Sequence, residues 1–269
     1  MEHAGSFPPG WVDIHCHILP ALDDGPPNWD QALAMARLAV REGTAWIVAT
    51  PHQRGRYLQN TPAVIAARCE ELRARLREAA IPLEIFSGAD VRIDEELAES
   101  VKRGEVSTLG GGRYVLLELP HDVYFPLDSL LRELKRSGVT GILTHPERNT
   151  ALLRHPEKLE EVMSAGALIQ LTAGSLTGAF GPAVRQFAEE ILLSGRVHVV
   201  ASDGHGVRGR PPVMAEAARH IARRLGRDAA DILCRRNPAR IVQGMSVQSL
   251  ERVETAEPFW RRAWRRLAG

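Results

Sequence analysis

Trp11-Val12-Asp13-Ile14-His15-Cys16-His17 is the stretch from which the rest of the chain can be read. An apolar run with β-branched Val12 and Ile14 predicts a strand over 11–15. The run ends in two imidazoles one residue apart, which fall on one side of an extended backbone and can bind one ion together. The same arrangement, a short apolar run closing on a metal-capable side chain, recurs along the chain. Residues 45–50 lead to His52, 83–87 lead to Asp90, 114–119 carry Glu118, 141–144 lead to His145, and 197–201 lead to Asp203 and His205. The remaining run, 167–171, ends at Thr172. With Asp13, His15 and His17 counted on the first, six of the seven predicted strands end in a candidate ligand.

Longer segments with apolar residues at helical spacing separate the runs: Leu33, Ala36, Leu38 and Val40, then Val64, Ile65, Leu72 and Leu76, then Leu127, Leu130, Leu131 and Leu134. Asn28 and Thr61-Pro62 predict helix starts, and Gly43, Gly138, Gly166 and Gly195 predict helix ends. Regular βα alternation predicts an α/β fold with a parallel sheet, closed or nearly closed. No G-x-G-x-x-G turn follows the first strand, which argues against a dinucleotide-binding fold. In a βα barrel the carboxyl ends of all strands meet on one rim, so ligands spread from His15 to His205 would converge there.

Composition narrows the function classes. A chain of 269 residues that is 44% apolar can bury one sizeable core and reads as one domain with a tail. With 34 basic against 33 acidic residues it has no global basic field, and no nucleic-acid partner is expected. Cys16, Cys69 and Cys234 are odd in number and unrelated in spacing, which suits a reducing compartment. No secretory leader is read in residues 1–10 and no run of 18 apolar residues occurs, so a soluble cytoplasmic protein is expected.

Four or five imidazoles with three or four carboxylates and no thiolate suit manganese, iron or zinc rather than a Cys-rich structural zinc site. Eight or nine ligands exceed the needs of one ion, and two or three divalent ions are expected. His3, His121, His155, His198 and His220 fall outside the series. Cys-x5-Arg occurs at Cys69–Arg75 and Cys234–Arg240, but a phosphate-binding cysteine loop needs free N–H groups at a helix N-terminus. Cys69 is expected in mid-helix and Cys234 just before a helix-ending Asn237-Pro238, so a cysteine nucleophile is not expected.

Taken in order, Asp13-Ile14-His15-Cys16-His17, Asp23-Asp24-Gly25-Pro26, Thr50-Pro51-His52, Gly88-Ala89-Asp90, Leu117-Glu118, Thr144-His145-Pro146-Glu147-Arg148 and Ala201-Ser202-Asp203-Gly204-His205 resemble the motifs of the polymerase and histidinol phosphatase (PHP) superfamily. More narrowly, D-D-G-P after H-x-H, Asn60-Thr61-Pro62, H-P-E-R and Arg208-Gly209-Arg210-Pro211-Pro212 resemble the bacterial metal-dependent protein-tyrosine phosphatases of capsule and exopolysaccharide systems. The resemblance covers roughly residues 11–248. It implies a distorted (β/α)7 TIM-like barrel and a phosphoric monoester hydrolase that cleaves phosphotyrosine with metal-activated hydroxide. It also implies the ligand sets: His15, His17, Asp90 and Asp203 for one metal, Asp24, His52 and His205 for a second, and Asp90, Glu118 and His145 for a third. Arg148 and Arg210 match the family's phosphate-binding arginines. Asp90 stands where the family usually carries Glu. Manganese heads the implied metals, and a tyrosine kinase of polysaccharide synthesis heads the implied substrates. Two alternatives stay open: another PHP phosphoesterase such as a histidinol-phosphate phosphatase, and a weakly catalytic regulatory partner of the polysaccharide machinery.

The barrel is expected to occupy residues 1–250. Over 251–269, Phe259, Trp260, Ala263, Trp264 and Leu267 alternate with Arg261, Arg262, Arg265 and Arg266 as in a basic amphipathic helix. Packing on the barrel or a second subunit, or contact with an anionic membrane or a membrane-bound kinase, are its readings.

Overall fold

The computed structural model of the chain describes residues 7–250. The basic tail over 251–269 therefore lies outside the described residues. Nine strand segments appear: β1 (Trp11–Cys16), β2 (Thr44–Ala49), β3 (His52–Gln53), β4 (Glu84–Ser87), β5 (Asp90–Arg92), β6 (Tyr114–Glu118), β7 (Thr140–Thr144), β8 (Leu168–Thr172) and β9 (Val199–Ala201). They form a three-stranded sheet, β1-β2-β4, and a six-stranded sheet, β3-β5-β6-β7-β8-β9, with every ladder parallel. The expected α/β class with parallel strands in sequence order is the one observed.

The count exceeds seven because two strand paths break. In the first, Pro51 has no N–H to give a ladder. In the second, Gly88 passes so close to its neighbours that a Cβ there would lie 2.7 Å from Val48 Cγ1 and 2.8 Å from Leu109 Cδ2. Backbone bonds carry across both breaks, Gly88 N to Ala49 O (3.0 Å) and Asp90 N to Pro51 O (3.1 Å). Beyond them His52 and Asp90 become directly paired neighbours.

Alternate strand residues face two different cores. Val12, Ile14, Val48, Tyr114, Leu116, Ile142, Val199 and Ala201 pack together, with Ala239, Ile241 and Val242 of the helix Asn237–Val242 in the same cluster. Ile47, Ala49, Ile85, Val115, Leu117, Leu143, Ile169 and Leu171 belong instead to the larger core shared with the helices. Glu118 and Asp203 continue the first set by period 2, which carries their side chains to its carboxyl end.

β1 departs from simple alternation. Its register against β2 shifts between Asp13 and Cys16, three steps against two, so one extra residue is inserted. Ile14 joins the first core, and the following His15 still reaches the same end of the sheet. Asp13 is removed from that end. It is fully buried, and its carboxylate accepts from Ser202 N (2.9 Å) and Ser202 Oγ (2.5 Å). Placing Asp13 in the ligand series with His15 and His17 is thus corrected: it ties β1 to the end of β9. The two edges also meet at the bridge Cys16–Gly204, with His17 N donating to Gly204 O (2.8 Å) and Asp203 N to His15 O (2.8 Å).

Helix starts follow the expected caps. Asn28 accepts from Gln31 N ahead of the helix Trp29–Arg41, and Thr61 from Val64 N ahead of Pro62–Glu78. The buried face of the latter is Ile65, Cys69, Leu72 and Leu76, while Val64, expected among them, is 38% exposed, because residues at 65, 69, 72 and 76 fill the stripe already. Asn237-Pro238 does not end a helix. Pro238 occupies the first turn of Asn237–Val242, where its missing N–H costs nothing, and Asn237 is buried, donating to His198 O and Gln248 O.

His198 supplies a test of this packing. Its Nδ1 accepts from Ile169 N (3.0 Å), and burial pushes its pKa down from 6.5 to about 4. Between those values the unfolded chain binds a proton that the fold does not, so this contribution to stability is intact above pH 6.5 and is lost as pH falls toward 4. Allowing for solvent screening, the loss is about 2 kcal/mol. Urea denaturation of wild type and His198→Gln should show the stability difference between them change by that amount from pH 7 to pH 4.5.

Candidate metal centre

The side chains at the carboxyl ends of the strands converge. Among the described residues, four groups bring donor atoms within 4.8 Å of one another: His17, Asp24, His52 and His205; His15, His17 and Asp203; His15, Asp90 and His145; and His52, Asp90 and Glu118. All nine ligands implied by the resemblance are in these groups, and among the described residues no other residue is.

Three of the five imidazoles are oriented from behind. His15 Nδ1 donates to Gln170 Oε1 (2.7 Å), and His17 Nδ1 donates to Asp23 Oδ2 (2.6 Å). With each Nδ1 engaged behind, both Nε2 atoms turn inward and face each other at 3.2 Å. One proton on His17 can bridge the pair, and a metal cation that displaces that proton satisfies both lone pairs. Asp203 Oδ1 lies 3.4 Å from His15 Nε2 and 3.5 Å from His17 Nε2. His205 repeats the arrangement, Nδ1 donating to the Asp203 carbonyl (2.8 Å) and Nε2 facing Asp24 Oδ1 at 3.3 Å. His205 Nε2 and both carboxylate oxygens of Asp90 are buried without a hydrogen-bond partner. A divalent ion suits such orphaned donors.

The electrostatics agree. Asp90 lies 3.6 Å from His15 Nε2 and 3.3 Å from His52 Nδ1, and although burial opposes ionisation, those imidazoles hold it below the usual carboxylate range. Asp24 is held low by His205 and His52, and Asp203, against its burial, by His15 and its neighbours. Burial and Asp90 raise Glu118 to about 7. Burial would lower His52, but Asp24 and Asp90 outweigh it and lift it to about 11. Burial likewise opposes the charge on His17, yet Asp23 lifts it to about 9. Protons on His17 and His52 thus balance carboxylates that a metal would balance instead.

Two arginines complete the rim. Arg148 Nη1 pairs with Asp203 Oδ2, and its guanidinium lies 4.6 Å from the centre of the Phe180 ring. Arg210 reaches Asp203 Oδ2 (3.3 Å) and Asp24 Oδ2 (3.2 Å). The turn that carries Arg148 is held by Glu147, fully buried, which accepts from Thr172 N (2.9 Å) and Ser175 Oγ (2.7 Å). Positive φ at His145 (35°) and Asp203 (53°) marks backbone strain at two candidate ligand positions.

The grouping differs from that implied by resemblance: His17 also joins Asp24, His52 and His205, Asp90 stands apart from His17 and Asp203, and Glu118 and His145 fall in separate groups. Glu118 falls with His52 and Asp90, because β5 lies between β3 and β6 and pairs Arg92 with Glu118. His145 falls with His15 and Asp90, its left-handed backbone setting its ring 5.7 Å from that of His15. Asp23, Gln170 and Glu147 were given no role from the sequence. Gln170 carried a signal, as one amide inside the apolar run Leu168-Ile169-Gln170-Leu171.

The family described as capsular polysaccharide synthesis, CpsB/CapC, matches residues 11–243. The chain belongs to the CpsB/CapC family. It is 36% identical over 201 residues to tyrosine-protein phosphatase YwqE of Bacillus subtilis, covering 74% of this chain and 79% of that one. It is 30% identical over 237 residues to tyrosine-protein phosphatase CpsB of Streptococcus pneumoniae, covering 86% and 98%. A solved structure from work on these two CpsB/CapC proteins, described as unique metal-dependent tyrosine phosphatases, superposes with a TM-score of 0.85 at 32% identity, covering 90% of this chain and all of that one. A β-aspartyl dipeptidase from Fervidobacterium islandicum shares the fold at TM-score 0.51 and 18% identity. Among the described residues, no helix is long and apolar enough to cross a membrane.

Proposed function

We propose that this member of the CpsB/CapC family is a metal-dependent phosphotyrosine-protein phosphatase whose physiological substrate is a tyrosine kinase of capsule or exopolysaccharide synthesis. The observation that carries it is the inward-facing pair of nitrogens, His15 Nε2 and His17 Nε2, each ring held from behind through Nδ1, on a rim that also bears Arg148 and Arg210. His15, His17, Asp24, His52, Asp90, Glu118, His145, Asp203 and His205 would hold two or three ions, manganese first and iron or zinc after it. When bound, those ions supply Lewis acidity and acidify water for attack on phosphorus.

The chain's own residues do the rest. Arg148 and Arg210 offer planar donors to the non-bridging phosphoryl oxygens and favour the transition state's charge. Phe180 and Glu147 hold Arg148 in place before substrate arrives. A phenolate, with a parent pKa of about 10, leaves without a strong acid. No thiolate competes as nucleophile. Cys16, Cys69 and Cys234 are fully buried, and burial pushes each thiol up, Cys69 to about 12.

Kinetics after chelation test this reading. Protein stripped with EDTA should hydrolyse a phosphotyrosine peptide at least about 100-fold more slowly than the same protein reloaded with manganese. The reloaded enzyme should prefer that peptide to histidinol phosphate and to a phosphoserine peptide. Equal, slow hydrolysis with and without metal would overturn the proposal, and a preference for histidinol phosphate would replace it with the sibling phosphoesterase.

A further inference from the structure

A cavity of about 430 Å³ opens beside the metal-capable groups, its inner wall formed by His52 and Glu118 and its outer wall by Arg56, Tyr57 and Arg92. That volume lies within the range of small-molecule subsites. Arg56 and Tyr57 belong to the segment after β3, which is fixed at its root, and Arg92 ends β5. Asn60 is fully buried and donates to Leu22 O (3.0 Å) and His52 O (2.8 Å), while Gln53 Nε2 donates to Asn60 O (2.8 Å). Arg54, at φ 72°, is clamped on both oxygens of Asp94 (2.8 and 2.9 Å) and on Ser100 Oγ. Tyr57 N returns to Arg54 O (2.9 Å) to close the turn. Between these anchors the side chains of Arg56 and Tyr57 are left to line the opening.

The wall has two distinct chemistries. The Tyr57 ring lies nearly parallel to that of His52, 5.4 Å between centres and 16° between planes, extending an aromatic surface outward from an imidazole of the metal-capable groups. Arg56 is exposed, sits 5.0 Å from the centre of the Tyr57 ring, and has no carboxylate partner among the described residues. Its neighbours differ. Arg54 is spent on Asp94, and Arg92 is shared between Glu118 Oε2 and Leu119 O, both at 3.2 Å. One uncompensated cation therefore stands at the outer end of an aromatic-walled cavity whose inner end is the candidate catalytic centre.

Resting on the phosphatase reading above, we propose that this cavity is the subsite for the substrate beyond its phosphoryl group. The ring of phosphotyrosine packs on Tyr57, and Arg56 takes an anionic side chain next to that phosphotyrosine, making Arg56 the residue that selects acidic-flanked sites. A cation over a ring, backed by an anchored turn, is preorganised for such a contact. Rim charges of this kind govern choice of partner more than raw affinity.

The test compares two phosphotyrosine peptides, one with Asp and one with Lys at the adjoining positions, on manganese-loaded full-length enzyme. Wild type should favour the acidic peptide by about 10-fold in kcat/KM, carried by KM, and Arg56→Glu should invert the preference. The ratio is the readout because damage to folding or metal binding scales both peptides alike. Binding of the same two sequences, carrying a non-hydrolysable phosphonate in place of the phosphate, should show the same inversion in Kd by fluorescence anisotropy. A preference that Arg56→Glu leaves unchanged, or no preference in wild type, overturns the subsite while hydrolysis itself upholds the phosphatase. Failure to hydrolyse either peptide or an aryl phosphate overturns the phosphatase reading, and the subsite falls with it.

Discussion

Asp90→Asn should lower kcat/KM on a phosphotyrosine peptide about 10³-fold and reduce the bound metal by at least one ion per chain. Asp90 is 1% exposed, neither of its carboxylate oxygens has a hydrogen-bond partner, and it is the one carboxylate shared by two of the four donor groups. An amide keeps the shape but offers one neutral oxygen and turns an N–H toward His15 or His52, so both groups lose their common anion. A loss of 10³ corresponds to about 4 kcal/mol of transition-state stabilisation. Thermal stability supplies an independent readout. An ion that binds only the folded chain stabilises it by about 2.7 kcal/mol at 100 times its Kd. Manganese should raise the Tm of wild type by several degrees and that of Asp90→Asn by much less. Asp90→Glu sharpens the test, since it keeps the charge and adds one methylene inside a close-packed site, at a cost of about 1–3 kcal/mol. Its activity should fall between the other two. Unchanged metal content and activity in Asp90→Asn would remove Asp90 from the centre.

The reach of the sequence is clearest at the strand ends. A parallel α/β architecture puts the carboxyl ends of all its strands on one side, so one rule of position pointed to His15, His52, Asp90, Glu118, His145, Asp203 and His205 without their geometry. What escaped has local causes. The bulge between Asp13 and Cys16 shifts the period of β1 by one residue, and only pairing with β2 reveals it. That shift alone turns Asp13 from a ligand candidate into the tie to Ser202. Breaks at Pro51 and Gly88 were visible as residue types, but the pairing of His52 with Asp90 that they permit depends on the 37 intervening residues folding elsewhere. The residues behind the imidazoles were hardest to find, because Gln170 acts on His15 from 155 positions away and has no motif of its own. Asp23 stood in view beside Asp24, yet nothing short of the fold separates the carboxylate that orients His17 from the one that faces His52 and His205.

Arg148→Ala should separate catalysis from metal binding, with effects of opposite sign. In the fold Arg148 is 12% exposed, pairs with Asp203, and lies against Phe180 on a turn that Glu147 anchors. Its guanidinium is preorganised, and removing one such donor from a charge-developing site costs about 10²–10³ in kcat. The same guanidinium competes with an ion for Asp203, and it depresses the proton affinity of His145 after burial has already done so. Without it, Asp203 faces His15 and His17 with one cation fewer, so manganese should bind as tightly as in wild type or several-fold more tightly while turnover collapses. Arg148→Lys keeps a positive charge but not the planar fork, and most of the deficit in kcat should persist. Arg210 is 29% exposed and divides its contacts between Asp24 and Asp203, so Arg210→Ala should cost less, about 10-fold. Steady-state kinetics with phosphotyrosine peptide, set beside manganese affinity from calorimetry, read both quantities on one preparation. Loss of activity in proportion to loss of metal would make Arg148 a brace for the centre rather than a phosphate ligand, whereas loss of kcat with metal retained is what a donor to the phosphoryl oxygens requires.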